Sequence, residues 1–408
     1  MIRLSSPIFA FLLLLFSIAA PHAPAAPTTQ VQRQAILVTI GPGDEIWERF
    51  GHNLIWVIDR QAGLNTCYNW GLFDFEEPDF LIKFIQGRMM YWMDGLEPEP
   101  SLGLYYQQNR SITLQRLRLS DAQLDDLIAR CETNRLPANR IYPYDYYTQN
   151  CSTMVRDMLD AVTGGALAKE LKDQQGTPQM TLRQHTLRAA RHGVWLSLGM
   201  DLLMSTPTDR PLTKWEESFL PEKLSAYATP IVEAELPAPW TSTREPEPDG
   251  VPDRTAPLLS IGVLIASFTA LTARGRSRWS RRAALIASCG WWAFSGTAGA
   301  LMLYLWLFTN HTAAHANQNL FHFSAAGLLI VLLVLASNRW PRLSRAAAML
   351  GTAVLMISLI GLLLRVIGVL HQDNVRMILL AFPANLATAY AAWRLTRSRP
   401  ATEVTATS

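Results

Sequence analysis

A chain of 408 residues is longer than one ordinary domain, so at least two structural units are expected. The formal net charge of +3 is too small, and too concentrated beside apolar segments, for a nucleic-acid-binding protein. Charged residues occur throughout 27–235, whereas 257–395 consists of apolar runs separated by short arginine-bearing loops. The composition therefore predicts a globular unit followed by a membrane unit.

The N-terminus has the pattern of a secretory signal peptide over 1–25. Arg3 precedes a long apolar stretch, and an A-x-A cleavage site ends at residue 25. An uncleaved anchor is the alternative. Both versions predict that the globular domain, 26–234, is exported to the periplasm or the cell exterior.

Five apolar segments in the second half of the chain resemble transmembrane helices, each of which requires about 20 mostly apolar residues. The predicted spans, within a membrane domain of 258–396, are 258–273, 283–308, 320–337, 346–369 and 375–393. A Pro-rich stretch with alternating charge, 235–257, precedes them and predicts a semi-extended tether.

The loops of the predicted membrane domain contain arginine only on alternate sides. The loop arginines lie in 274–282, in 339–345 and after residue 393, and the intervening loops contain neither Lys nor Arg. The positive-inside rule places the arginine-bearing loops and the C-terminal tail, 397–408, in the cytoplasm. The exported domain is then outside, in agreement with the signal peptide.

Polar residues at the predicted outer side are candidates for substrate contacts. Arg365 and Arg376 flank the last outer loop, where they either extend to the interface or bind a lipid phosphate. His311 and His315 have i, i+4 spacing, but no carboxylate or thiol accompanies them. Interfacial contacts and headgroup recognition are therefore favoured over a metal, and we expect no metal and no cofactor.

The exported domain has the mixed pattern of an α+β fold. Apolar patterning predicts strands at 35–40, 52–59, 65–73 and 111–119, the second and third joined by a turn near Gln61. Ser120 and Gln123 have capping-box spacing, which predicts a helix over 120–134. Further helices are predicted over 151–165 and 181–193.

Three cysteines lie in the exported domain, and an odd number in an oxidising compartment predicts a free thiol or an intermolecular bridge. Cys67 and Cys131 are a candidate pair, which leaves Cys151 free. Cys151 opens a predicted helix, where unpaired N–H groups and the helix dipole lower the pKa of a thiol. Cys289 lies within a span and is interpreted as a packing residue.

A thiolate nucleophile needs a base within hydrogen-bond distance. His52 follows Gly51 at the start of a predicted strand, whereas His185 and His192 lie on a polar helix and are expected to be solvated. His52 is therefore the predicted base. If the second and third strands form a hairpin, Asn69 lies within cross-strand or diagonal reach of the imidazole. The alternatives for this orienting role are Asp59, Tyr68 and Tyr146.

These segments resemble two groups of known enzymes. A strand with His, a second strand with a polar residue and Asn-Cys at a helix start are similar to the permuted papain-like enzymes of the lecithin:retinol acyltransferase type. More closely, FGHNLIWVID, YNWGLFDF, YPYDYYTQNCSTMVRD and the outer-loop pattern of His315, Asn317 and Asn319 resemble the Lnb-type family of lipoprotein intramolecular transacylases. The resemblance extends over nearly the whole chain after the signal peptide.

The resemblance implies a permuted papain-like domain, with an antiparallel sheet and a nucleophile helix, followed by a five-helix membrane bundle. It implies that Cys151 and His52 transfer an acyl chain from a lipid or diacylglyceryl-lipoprotein ester, through a Cys thioester, to an amine. Asn150 is a candidate oxyanion donor, and Tyr146 and Arg156 are candidate substrate contacts. The chain departs from the family at Met154, where a basic residue is common.

Two other functions use the same features. An exported thiol peptidase or amidase acting on cell-wall peptide would need the same Cys–His pair. A membrane receptor or assembly factor would bind through the exported domain without catalysis. Sequence alone favours the acyltransferase, because five spans are an unusually large anchor for a wall hydrolase.

Overall fold

The computed structural model describes residues 32–172, 180–245, 248–337 and 339–397. The predicted signal peptide and all but the first residue of the predicted tail lie outside these ranges. Over the described residues, the N-terminal part is an antiparallel sheet covered by helices, and the C-terminal part is a helical bundle.

Seven strands form one sheet, and each pair of neighbours is antiparallel. The strands are β1 (Arg33–Ile40), β2 (His52–Asp59), β3 (Leu64–Leu72), β4 (Met90–Leu96), β5 (Ile112–Leu117), β6 (Ile141–Pro143) and β7 (Val232–Leu236). Their order is β6-β4-β3-β2-β1-β5-β7. The four predicted strands correspond to β1, β2, β3 and β5, and the predicted hairpin is the β2–β3 pair.

The helices of the exported domain include the three that the sequence predicts. They are α1 (Phe80–Gln86), α2 (Pro98–Gln107), α3 (Asp121–Arg135), α4 (Cys151–Val162), α5 (Ala166–Lys172), α6 (Leu182–Ala189), α7 (Val194–Leu203), α8 (Lys214–Glu217) and α9 (Pro221–Tyr227). The predicted capping box is present at α3, since Ser120 and Gln123 bond reciprocally to each other's backbone N–H. The expectation that His185 is solvated is wrong: it is 1% exposed and contacts Glu217, because neighbouring segments cover α6.

Helices cover both faces of the sheet. The side chains of α3, α4, α5 and α9 form the core on one face, and α2 packs against the other. Cys131 lies in the first core and Cys67 in the second, and both are free. The candidate disulfide is therefore wrong, because the sheet separates the two thiols.

The membrane bundle contains α10 (Thr255–Arg274), α11 (Arg278–Phe308), α12 (Ala326–Ala336), α13 (Arg342–Val366) and α14 (Val375–Arg397). Four of these helices are long and apolar enough to cross a membrane. The third predicted span is instead a pair of shorter segments, Thr312–Phe321 and Ala326–Ala336, bent by 48°. The count of five spans holds when this bent pair is taken as one.

The Pro-rich stretch is fastened to the exported domain rather than free. Arg244 donates two hydrogen bonds to the carboxylate of Asp44, at 2.8 and 2.6 Å. The Thr243 N–H donates to Asn109 Oδ1 at 3.0 Å. These bonds hold Thr243 and Arg244 of the predicted tether against the exported domain, and the tether as a whole stays a prediction.

Polar side chains of the outer loops join the membrane bundle to the end of α7. A helix C-terminus leaves carbonyl groups without intrahelical partners. The Asn317 and Asn319 amides donate to Leu202 O at 3.0 and 2.8 Å, and Gln372 Nε2 donates to Met204 O at 3.1 Å. The loops that follow α11 and α13 therefore lie against the exported domain, and the arginine-bearing loops lie at the opposite ends of the helices.

A buried ion cluster strengthens the same junction. Arg183 is fully buried and donates to Asp201 at 3.0 Å and to Asp209 at 2.5 Å. Arg376 donates from two nitrogens to the same Asp201, at 3.0 and 3.1 Å. Buried charges are stable only when paired, so this cluster fixes α6 and α7 of the exported domain to α14.

Candidate active site

Cys151 and His52 meet at one end of the sheet. His52 begins β2 and shares a face with Leu54, on the side covered by α2, whereas Cys151 begins α4 on the opposite side. Gly71, near the end of β3, lies beside both side chains and has a φ of +91°, a backbone conformation that favours glycine. A β-carbon at Gly71 would lie 3.5 Å from Cys151 Cβ and 4.0 Å from His52 Cε1.

The two side chains form a hydrogen-bonded acid–base pair. Burial alone would raise the pKa of the Cys151 thiol, but the charge of His52 and hydrogen bonds from His52, Asn53 N–H and Ser152 N–H outweigh it and lower that pKa. Burial alone would lower the pKa of His52, but the charge of Cys151 and hydrogen bonds to Cys151 and Asn69 raise it. The arrangement therefore favours a thiolate beside an imidazolium.

Asn69 holds the other side of the imidazole. Its Oδ1 lies 2.7 Å from His52 Nε2 and accepts the ring N–H. Asn69 pairs with Leu54 in the β2–β3 register, so it lies diagonally across from His52. With Nε2 engaged by the amide, Nδ1 is the nitrogen left for the Cys151 sulfur.

The alternative orienting residues have other partners. Asp59 lies at the far end of β2 and binds Arg33 at 2.8 Å. The Tyr68 hydroxyl donates to Glu132 at 2.7 Å on the opposite face of the sheet. Tyr146 packs against other aromatic rings near the outer loop. Among these four residues, Asn69 is the one that contacts His52.

Tyr105 and Arg110 support this arrangement, and the sequence contains no motif that marks them. Tyr105 lies on α2, where its hydroxyl hydrogen-bonds to Asn69, and burial raises its pKa to about 12. Its ring centroid is 6.1 Å from that of His52, and Arg110 Cζ lies 5.0 Å from the Tyr105 centroid. Tyr105 therefore constrains the amide that orients His52.

Tyr142 is a further residue that sequence reasoning missed. It lies on the edge strand β6 and is 6% exposed. Its oxygen lies 3.9 Å from the position of a β-carbon at Gly71, so it borders the same space as Cys151 and His52. The Gly71 N–H points toward this oxygen, and the hydroxyl has no acceptor among the described residues. Burial raises the pKa of Tyr142, so the hydroxyl remains protonated and available as a donor.

Two family models match the chain, one for each half. The Lnb N-terminal periplasmic domain matches residues 24–188, and the Lnb transmembrane domain matches residues 250–399. The chain belongs to the Lnb-type family. No curated protein and no solved structure matches it significantly.

This Lnb-type chain is therefore an integral membrane protein with an exported N-terminal domain. Family membership suggests a membrane enzyme that modifies lipoproteins. The residues of the Cys151 site all lie within the matched periplasmic domain. The relationship to papain-like enzymes is not tested by either match and stays a prediction.

Asn150 has a structural role that differs from its predicted role as an oxyanion donor. Its Oδ1 accepts the Thr153 N–H at 2.9 Å and so caps α4. Its Nδ2 donates to the carbonyl oxygens of Tyr146 and Phe219, both at 2.9 Å. Both amide hydrogens are used, so the Asn150 side chain has none left for an oxyanion.

Arg156 is also engaged within the Lnb-type fold. Its guanidinium lies 4.0 Å from the Trp215 ring centroid, donates to Trp215 O at 2.8 Å and pairs with Asp157. The residue is 7% exposed. These contacts connect α4 to α8, and they leave little of the guanidinium for a substrate.

The predicted substrate contacts at the outer side have partners within the protein. His315 Nε2 lies 3.0 Å from Thr309 O. Arg365 binds the Gln372 carbonyl and donates to Asn374 Oδ1 at 3.2 Å. Arg376 is paired with Asp201, as described above, so a lipid phosphate would have to compete with a bidentate carboxylate. Within the described residues, no group of three His, Cys, Asp or Glu side chains has a metal-binding arrangement.

Proposed function

We propose that this protein is a membrane-bound cysteine acyltransferase. It would move an acyl chain from an ester of a lipid or of a diacylglyceryl-lipoprotein to an amine, the N-terminal amine of a lipoprotein. The observation that carries the proposal is the Cys151–His52–Asn69 arrangement, in which a thiol of lowered pKa contacts an oriented imidazole. This arrangement belongs to a domain fastened to a membrane bundle, where acyl donors are concentrated.

In the first half of the reaction, the Cys151 thiolate attacks the carbonyl carbon of the ester. A C–S bond forms, and the C–O bond to the glyceryl group breaks when the tetrahedral intermediate collapses. The leaving alkoxide takes a proton from the His52 imidazolium. The products are an acyl thioester on Cys151, a neutral His52 and a free glyceryl hydroxyl.

In the second half, the acceptor amine attacks the thioester carbonyl. Neutral His52 accepts the proton that the amine loses, and the C–S bond breaks to release an amide. The thiolate and the imidazolium are restored. Asn69 keeps the ring in the orientation that both proton transfers require, because its Oδ1 accepts from Nε2 in either state of His52.

The oxyanion of both tetrahedral intermediates needs donors beside Cys151. The backbone N–H of Cys151 is one candidate, since it lies in the first turn of α4, where N–H groups have no intrahelical acceptor. The Tyr142 hydroxyl is the second, because it borders the same space and its hydrogen has no acceptor within the described residues. It takes the place in the mechanism that sequence reasoning assigned to Asn150.

Membrane orientation is part of the proposal, with the C-terminus in the cytoplasm. A reporter fused after Ser408 is expected to be cytoplasmic, and an impermeant maleimide is expected to label a Cys151→Ala, His371→Cys variant from outside. His371 is exposed in the loop between α13 and α14. Finding both positions on one side of the membrane would contradict the proposed orientation.

Mass spectrometry of the purified protein tests the reaction itself. With a diacylglyceryl lipopeptide as donor, we expect an added acyl mass on Cys151 that neutral hydroxylamine removes, followed by an N-acylated lipopeptide. A thiol peptidase would instead acquire a peptidyl mass, and a receptor would acquire none. Either of those results, or an active Cys151→Ala variant, would refute the proposal.

A further inference from the structure

An exposed apolar surface borders the Cys151 site. We call it the collar, and it consists of Ile46, Trp47, Phe75, Leu81, Ile82 and Ile85. These side chains are between 42% and 66% exposed. Trp47 lies five residues before His52, and Phe75 lies four residues after Gly71. The Trp47 and Phe75 rings are 4.9 Å apart, and Phe75 is 5.2 Å from Phe80 of α1, so the collar is continuous.

The collar faces outward because the Phe80 and Phe84 side of α1 packs against other aromatic rings of the domain. The ring centroids of Phe80 and Phe73 are 6.1 Å apart, and those of Phe84 and Tyr146 are 6.5 Å apart. Leu81, Ile82 and Ile85 then share the opposite side of the helix, at positions i, i+1 and i+4. Contiguous apolar surface of this kind on a folded domain marks an interaction site.

Contacts at the end of α1 place the collar at the membrane surface. The Asn310 N–H donates to Gln86 O at 2.8 Å, and His311 Nε2 lies 3.0 Å from Phe84 O. Asn310 is only two residues beyond Phe308, the last residue of α11, and Phe308 is 65% exposed on the surface of the bundle. Two residues of extended chain span at most about 7 Å, and the hydrogen bond adds 2.8 Å, so the end of α1 lies within about 10 Å of the outer end of a membrane span.

A second attachment fixes the orientation of the exported domain. Leu198, Leu202 and Leu203 of α7 pack against the core of the membrane bundle. The end of α7 is held by the outer-loop amides and by the Arg376–Asp201 pair. Because α1 and α7 contact different parts of the outer loops, the domain cannot rotate its collar away from the bilayer without breaking one of these contacts.

We propose that the collar is inserted into the outer leaflet, so that the Cys151 site opens directly toward lipid acyl chains. The partner is the lipid surface itself. Phe73 lies two residues after Gly71, and its ring centroid is 4.8 Å from that of Phe75, so it extends the apolar surface of the collar toward the nucleophile. An acyl chain therefore reaches Cys151 without crossing water. This last step rests on the proposed acyltransferase function, whereas the insertion does not.

Depth-dependent fluorescence quenching tests the insertion without requiring activity. The full chain is reconstituted in nanodiscs as a Cys151→Ala, Cys289→Ala variant, in which Cys67 and Cys131 are buried. An environment-sensitive dye is attached at Leu81→Cys or Ile85→Cys, with Gln61→Cys as control. Gln61 is exposed in the β2–β3 turn, at the end of the sheet remote from His52.

Nitroxide-labelled lipids are expected to quench the dye at residues 81 and 85 and not at 61, and aqueous iodide is expected to do the reverse. Equal iodide quenching at all three positions would overturn the proposal. Protection of residues 81 and 85 that appears only after a lipoprotein peptide is added would also overturn it, since the collar would then bind a protein segment.

A kinetic comparison tests the delivery of the acyl chain. A Leu81→Ser, Ile82→Ser, Ile85→Ser variant is expected to lower kcat/KM at least about tenfold for a donor embedded in a bilayer. Turnover of a short-chain, water-soluble donor should not change, and Leu136→Ser, which alters another exposed apolar side chain, should behave as wild type. Equal loss with both donors would overturn delivery through the collar. Absence of turnover in the wild type would refute the proposed function and leave the quenching result intact.

Discussion

Replacing Asn69 by Ala removes the group that orients His52, and the structure allows the size of the effect to be worked out. The lost contact is the 2.7 Å hydrogen bond from His52 Nε2 to Asn69 Oδ1. A hydrogen bond to a charged group contributes about 1.5–3 kcal/mol, and each 1.4 kcal/mol of activation free energy corresponds to about tenfold in rate. We expect kcat to fall by about one to two orders of magnitude.

The assay compares acyl transfer to a lipopeptide amine with thermal unfolding of the same preparations. Asn65→Ala is a matched control, because Asn65 lies on the same strand and accepts from Trp56 Nε1 at 2.8 Å, remote from Cys151. We expect Asn65→Ala to retain full turnover. Asn69→Asp keeps an acceptor for Nε2 and is expected to recover part of the rate that Asn69→Ala loses.

The result that refutes this reasoning is a folded Asn69→Ala variant with the turnover of wild type. If Asn65→Ala lost as much turnover as Asn69→Ala, the reasoning would also be refuted, because the effect would then come from general damage to the hairpin. A loss confined to the stability of the fold, with kcat unchanged in the folded fraction, would make Asn69 a structural residue only.

Three further predictions concern the thiolate, the oxyanion and the domain junction. His52→Ala should shift the alkylation of Cys151 to higher pH, because the thiol loses the imidazolium that lowers its pKa. Wild-type turnover should decrease as the pH drops below the pKa of Cys151 and as the pH rises above the pKa of His52. An unchanged alkylation profile would contradict the ion pair. Tyr142→Phe should lower kcat by about 10²–10³-fold with alkylation unaffected, and unaltered kcat would exclude the hydroxyl as a donor. Asp201→Ala removes one of the two carboxylates that pair with buried Arg183 and also removes the bidentate partner of Arg376, so it should lower the free energy of unfolding by about 3–5 kcal/mol. Arg130→Ala, from an exposed pair, should cost no more than about 1 kcal/mol, and equal shifts would contradict the assignment.

Several elements of the exported domain were predictable because their signals are local. The alternation in β2 and β5 and the capping box of Ser120 and Gln123 each depend on residues a few positions apart. The four long membrane helices were equally predictable, since length and hydropathy alone define them. The bent segment that ends in α12 was not, because its shape depends on amides that bond to α7.

The candidate site was predictable in part. Cys151 follows a turn and begins a helix, and His52 begins a strand after Gly51, so both positions are visible in the sequence. Cross-strand position made Asn69 the first candidate for the orienting residue. The sequence left Asp59, Tyr68 and Tyr146 open, because the choice depends on which face of the sheet each side chain occupies and which partner it finds there.

Sequence by itself determined that an exported domain precedes a membrane bundle, that a cysteine begins a helix and that a histidine begins a strand. These conclusions follow from hydropathy, charge and caps, which act over one or two turns of chain. Tertiary structure alone decided that the sheet separates Cys67 from Cys131, that Asn150 is consumed as a helix cap and that Arg376 is paired with Asp201. It also brought Tyr142 to Gly71 from a strand about 70 residues away in the chain. Such pairings depend on packing between distant segments, and no local pattern records which segments will meet.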